Sequence, residues 1–154
     1  MSKKKNYYHY DICGLDYVYL ANGYKRHKTP FGEGVSIDNV EELHKEIGLH
    51  IVSNIPNLRG QEIRFFRSEL GLSQLQMSQM VGTTLRTYQK WEEGRSKNIN
   101  PQADRLIRVF YLEFLGETAL HKDIMESLQK LQEIHNKLQN LKLMETSKGW
   151  KIAA

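Results

Sequence analysis

The sequence predicts an α+β chain: a small antiparallel β/α module, then a helical domain, then a long helix near the C-terminus. Three observations carry this. The first forty residues mix tyrosines with glycine-marked turns and short alternating runs. From residue 60 the apolar positions fall at helical spacing. From residue 117 they recur at alternating steps of four and three, with Ser127 as the one polar interruption. The expected boundaries are 1–57, 58–116 and 117–145, with a flexible tail at 146–154.

In "YYHYDICGLDYVYLANGYKRHKTPFGEGVSID", Tyr17, Tyr19 and Ala21 alternate with Val18 and Leu20, as in a strand with two different faces. Asn22-Gly23 reads as a hairpin turn because both residues tolerate positive φ. Thr29-Pro30-Phe31-Gly32 reads as another turn. Two or three short antiparallel strands are expected, with the tyrosines packing between them. A helix follows in "NVEELHKEIGLHIVS", with Asp38 as N-cap, Glu41 completing a capping-box pattern, and Val40, Leu43, Ile47 and Ile51 as the apolar face. The stretch from Asn54 to Asn57, which contains Pro56, reads as a linker.

In the middle segment Ile63, Phe66 and Leu70 form one stripe. Ser73 caps a helix that carries Leu75, Met77, Met80 and Val81, and Gly82 ends it in a left-handed position. Thr84 caps the next helix, Leu85 to Glu93, which stops at Gly94. Leu106, Val109, Phe110 and Leu112 mark a further helix. In the last segment Leu120, Ile124, Leu131, Ile134, Leu138 and Leu141 make a heptad seam, expected as a dimerisation helix of about 40 Å at about 1.5 Å per residue. Packing back onto the chain's own core is the alternative for that seam.

Helix, glycine turn, helix is the arrangement that lays a helix in the major groove of DNA. On a helical wheel Tyr88 and Trp91 share one side of the second helix. Arg86, Gln89, Lys90 and Glu93 share the other, with Leu85 at its edge. Arg and Gln can bond guanine and adenine edges bidentately, and Leu85 could meet a thymine methyl. Base contacts are therefore expected from Arg86, Gln89, Lys90 and Leu85. Phosphate contacts are expected from Gln74 and Thr84 at helix starts, and from Arg95 and Lys97 in the following loop.

The runs "GLSQ" at 71–74, "VGTT" at 81–84 and "WEEGRSK" at 91–97 resemble the Cro/repressor (Xre) helix-turn-helix family over about residues 60–115. The resemblance implies a lambda-repressor-like five-helix domain, with Gln74 on phosphate and Leu85, Arg86, Gln89 and Lys90 on bases. It also implies an ion pair between Arg67 and Glu92. Leu85 is apolar where polar readers are common. The family's usual role is a dimeric repressor, often an autorepressor, on an inverted-repeat operator in double-stranded DNA. Upstream, "YHYDICGLDYVYLANGY" is similar to zinc-finger/helix-turn-helix regulators related to MqsA-type antitoxins. In those antitoxins the N-terminal module binds zinc through two Cys-x-x-Cys pairs and masks a toxin. Here Cys13 is the only cysteine, so the zinc does not carry over, and His9, Cys13 and His27 make a poor ligand set. The similarity still raises a second reading, a module that sequesters a toxin or other protein through its N-terminal part.

Composition narrows the classes further. The formal charge is +4, and no third of the chain is strongly basic: 1–59 hold 8 Lys/Arg against 7 Asp/Glu, 60–116 hold 8 against 6, and 117–154 hold 6 against 5. Basic residues must then act by placement rather than by mass. One cysteine excludes an internal disulfide and fits a reducing cytoplasm. Lys3 to Lys5 lead into polar and aromatic residues, so neither a signal peptide nor a membrane span is expected. No glycine-rich phosphate loop, nucleophile elbow or metal-ligand cluster is present in the sequence. Neither an enzyme nor a cofactor is expected.

Overall fold

The tyrosine-rich start folds into two separate ribbons rather than one sheet. The computed structural model describes residues 6–116, 126 and 141–153. Strand β1 (Tyr8–His9) pairs antiparallel with β2 (Tyr19–Leu20), and β3 (Tyr24–Thr29) with β4 (Gly32–Ile37). Four strands thus stand where two or three were expected. Asn22-Gly23 does turn the chain, with Gly23 at φ 78°, but it joins two sheets and not the arms of a hairpin. The physical reason lies in pairing beyond the turn: β2 is already paired with β1, and the Gly23 carbonyl accepts the Asp38 N–H at 2.9 Å. Thr29-Pro30-Phe31-Gly32 is the hairpin turn as read, closed by the Thr29 hydroxyl donating to the Gly32 carbonyl at 2.6 Å.

Helix α1 (Val40–Asn54) begins one residue later than expected. Asn39, at φ 50°, is its N-cap; Asp38, with its N–H held by Gly23, is not. Asn tolerates the left-handed region because its short polar side chain can bond locally. Ile47 and Ile51 are buried as read, whereas Val40 is 41% exposed. Gly48 lets α1 approach Tyr111 closely, since a methyl group there would collide with that ring.

Four helices complete the body: α2 (Gly60–Leu70), α3 (Gln74–Val81), α4 (Leu85–Glu93) and α5 (Pro101–Leu115). Their core includes Leu58, Ile63, Phe66, Tyr88 and Ile107, all fully buried, and Leu15 from the N-terminal module joins it. Polar groups lock the joints. Asp104, buried on α5, accepts the Leu58 N–H at 2.6 Å and the Arg108 Nε–H at 2.6 Å. Arg108 also donates to the carbonyls of Ile51, Val52 and Ile55 at the end of α1, where the helix dipole favours a cation.

The N-terminal module is tied to α2 by the Asp16 N–H bonding Gln61 Oε1 at 3.2 Å, and by Arg59 lying 5.6 Å over the Tyr17 ring. Arg59 also pairs with buried Glu62 at 2.8 Å. Burial pushes the Glu62 carboxyl above its ordinary range, and the Arg59 bond offsets this only in part.

The C-terminal segment needs a correction. Residues 143–145, expected to end a helix, form β5 (Leu143–Thr146) together with Thr146, and the expected flexible tail also holds β6 (Gly149–Ile152) paired with it. Gly149 at φ 102° and the Thr146 hydroxyl bonding the Gly149 carbonyl at 2.8 Å make this turn, the same chemistry as Thr29 and Gly32. The rest of the expected helix, 117–142, lies outside the described residues except for Glu126, which is helical, and 141–142, which are not.

Candidate nucleic-acid interface

Two well-capped helices set at a glycine turn build the site. Ser73 and Gln76 form a reciprocal capping box at the start of α3: the Ser73 hydroxyl accepts the Gln76 N–H at 3.1 Å, and Gln76 Oε1 accepts the Ser73 N–H at 2.9 Å. Gly82 at φ 74° ends α3, and the Thr83 N–H returns to the Ser78 carbonyl at 3.0 Å. The Thr84 hydroxyl caps α4 by accepting the Thr87 N–H at 3.2 Å. Boundaries, caps and turn agree with the sequence reading.

One side of α4 is committed to the body. Tyr88 is fully buried and meets Trp91 edge to face at 6.1 Å between centroids. Burial raises the Tyr88 hydroxyl well above its ordinary pKa, with the Glu92 charge adding to the effect. Glu92 is buried and bound to Arg67, with Nε to Oε1 at 2.6 Å and Nη2 to Oε2 at 3.2 Å. Arg67 Nη1 also holds the Leu72 carbonyl at 3.2 Å, so the ion pair fastens α2, α4 and the loop before α3. The implied Arg67–Glu92 pair is present.

Glu92 does more than brace. Its Oε2 also accepts from Gln74 Nε2 at 2.8 Å, and Gln74 Oε1 accepts from Gln89 Nε2 at 3.3 Å. A relay therefore runs Arg67, Glu92, Gln74, Gln89. Burial raises the Glu92 carboxyl, but the bonds from Arg67 and Gln74 outweigh this and hold it below its ordinary range. A charge-assisted chain of this kind fixes the rotamers at its end. Gln89 is thereby pre-set on the outer half of α4.

The other expected residues fall into three groups. Arg86 and Lys90 are exposed on α4, and Leu85 is half-buried at its first turn. Lys97 is exposed in the loop after α4. Gln74, Thr84 and Arg95 are engaged inside the chain: Gln74 in the relay, Thr84 with Thr87, and Arg95 by donating to the Gly14 carbonyl at 2.8 Å. Of the expected dimerisation residues, Leu120, Ile124, Leu131, Ile134 and Leu138 lie outside the described residues, and Leu141 is 70% exposed just before β5. His9, Cys13 and His27 do not converge: His9 bonds the Asp16 carbonyl, Cys13 the Tyr10 carbonyl, and His27 the Ser36 hydroxyl.

Arg64 is a candidate site residue that the sequence reading did not name. It is exposed on α2 and lines an open cleft of about 410 Å³ with Arg67, Gln74, Gln89, Glu92 and Glu93. Its spacing gives the signal, because residues three apart share a helix face and Arg67 was already placed beside Glu92.

Helix α3, the glycine turn at Gly82 and helix α4 form a helix-turn-helix arrangement, which suggests a DNA-binding regulator. Residues 60–120 match a family model described as a helix-turn-helix domain. No curated protein and no solved structure matches the chain. Among the described residues no helix is long and apolar enough to cross a membrane.

Proposed function

We propose that the chain is a sequence-specific transcriptional regulator, a dimeric repressor that reads an inverted-repeat operator through α4 in the major groove and acts on its own promoter. The observation that carries this reading is the split of α4: Tyr88 and Glu92 are buried, while Arg86 and Lys90 stand free beside a Gln89 held by Gln74. Base contacts come from Arg86, Gln89 and Lys90, with Leu85 at the margin. Lys97 and Arg64 supply phosphate contacts, and the N-terminal turn of α3 at Gln74 adds backbone N–H groups. The heptad residues from Leu120 to Leu138 hold the dimer, and half-sites lie about 10 bp apart or at a multiple of that spacing. Mobility shifts with the DNA upstream of its own gene test the reading. Arg86→Ala and Lys90→Ala each weaken specific binding; if both leave it intact, α4 is not the reader.

A second, antitoxin-like reading draws on the small β1–β2 unit, where Ile12 is 82% and Tyr19 is 57% exposed. Such apolar exposure fits a protein partner held through the N-terminal module. Copurification with the product of a neighbouring toxic reading frame separates it from DNA binding alone.

A further inference from the structure

The ribbon β3–β4 is not accounted for by packing. Only Tyr24 and Ile37 at its root reach the core, and residues 25–33 are all exposed. A two-stranded ribbon with both faces in water contributes little stability of its own. At about 3.3 Å per residue its six-residue arms reach about 20 Å from that root. Its charge is mostly of one sign: Lys25 on one face of β3 and Arg26 and Lys28 on the other, against Glu33 alone within Tyr24–Ile37. The register sets Lys25 opposite Ser36 and Lys28 opposite Glu33, and neither lysine forms an ion pair among the described residues. At the tip Phe31 is 100% exposed behind Pro30.

The root of the ribbon is linked to the end of the reading helix. Tyr24 packs on Tyr8 at 5.0 Å between centroids, and Arg26 sits 5.9 Å over the same ring. The β1–β2 unit that carries Tyr8 is bonded through the Gly14 carbonyl to Arg95, in the loop after α4. Protein–protein interfaces are depleted in lysine, whereas protein–DNA interfaces are strongly positive and wet. Minor-groove binders place apolar residues such as Pro and Phe against base steps.

We propose that β3–β4 is a second DNA-contacting arm, lying along the duplex that flanks the site read by α4, with Lys25 and Lys28, on opposite faces of the ribbon, reaching backbone phosphates and Phe31 at the minor groove. This rests on the reading of α4 as the base-reading helix.

The test uses the full chain and a labelled duplex carrying the site that the wild-type protein selects from a random pool, with long flanks. Lys25→Gln with Lys28→Gln is the main variant, and both positions are exposed enough to leave the fold intact. The slope of log affinity against log salt is expected to fall by about 2, with affinity about tenfold weaker at about 0.1 M salt. Phe31→Ala weakens binding without changing that slope, because an apolar contact releases no counterions. Trimming the flanks of the duplex removes both differences. Lys148→Gln with Lys151→Gln, which alters the net charge equally on the other hairpin, leaves the slope unchanged. A ribbon variant with wild-type slope and affinity overturns the proposal and points the ribbon to a protein partner. An equal loss in the Lys148/Lys151 variant overturns it too, since net charge alone would then suffice. Arg86→Ala keeps the two readings apart: if it binds like wild type, the reading of α4 fails and takes the proposal with it, whereas a weakened Arg86→Ala beside a ribbon variant that binds like wild type overturns the arm alone.

Discussion

Replacing Glu92 by Gln keeps the shape at the centre of the relay and removes its charge. Glu92 accepts two bonds from Arg67 and one from Gln74. Gln has a single acceptor oxygen, so at least one of these donors loses its partner. Hydrogen bonds to charged groups contribute about 1.5–3 kcal/mol each, and stranding a buried charge costs about 3–5 kcal/mol. The Arg67 side chain is 18% exposed, so water compensates part of the loss, and the net expectation is about 2–3 kcal/mol at neutral pH. Urea unfolding reads this as a lower midpoint at unchanged slope. The pH dependence has a definite sign. Glu92 titrates below its ordinary value of 4.5 in the folded state, so its contribution is full above that value and fades as pH falls through the lower folded one. The deficit of Glu92→Gln is therefore large at neutral pH and shrinks toward about pH 3. A deficit under about 0.5 kcal/mol at neutral pH, or one as large at about pH 3, refutes the relay as the brace of α4.

Gly60→Ala drives a methyl group into the Trp91 carbonyl at the end of α4 and should lower stability by about 1–3 kcal/mol in thermal melts. Arg108→Met leaves Asp104 with only the Leu58 N–H as donor and takes the side-chain donor from the Val52 and Ile55 carbonyls, an expected loss of about 2–4 kcal/mol by urea titration. Lys97→Ala weakens DNA binding evenly across sequences and lowers the salt slope by about 1, measured by anisotropy titration in increasing salt.

What the sequence made legible is local. Caps at Ser73 and Thr84, the glycine at 82 and the aromatic face of α4 each depend on residues within a turn or two, and all stand as read. The Arg67–Glu92 pair spans 25 positions and came through resemblance, not through periodicity. Pairing choices were less legible. Asn22-Gly23 has the right chemistry for a hairpin, but tertiary pairing of β2 with β1 decided against it. Thr146-Ser147-Lys148-Gly149 closes a turn with the same chemistry as Thr29-Pro30-Phe31-Gly32 but was read as flexible tail. The occupied states of Gln74 and Arg95 depend on neighbours 18 and 81 positions away, which no local pattern shows.

The central claim is that the outer face of α4 reads bases. Selection of duplexes from a random pool by wild-type protein, and separately by Arg86→Ala, tests it most directly. The expected result is one wild-type motif repeated in inverted half-sites, with Arg86→Ala relaxing preference at a single position per half-site by about 1–3 kcal/mol. Identical motifs and affinities for the two proteins would contradict it.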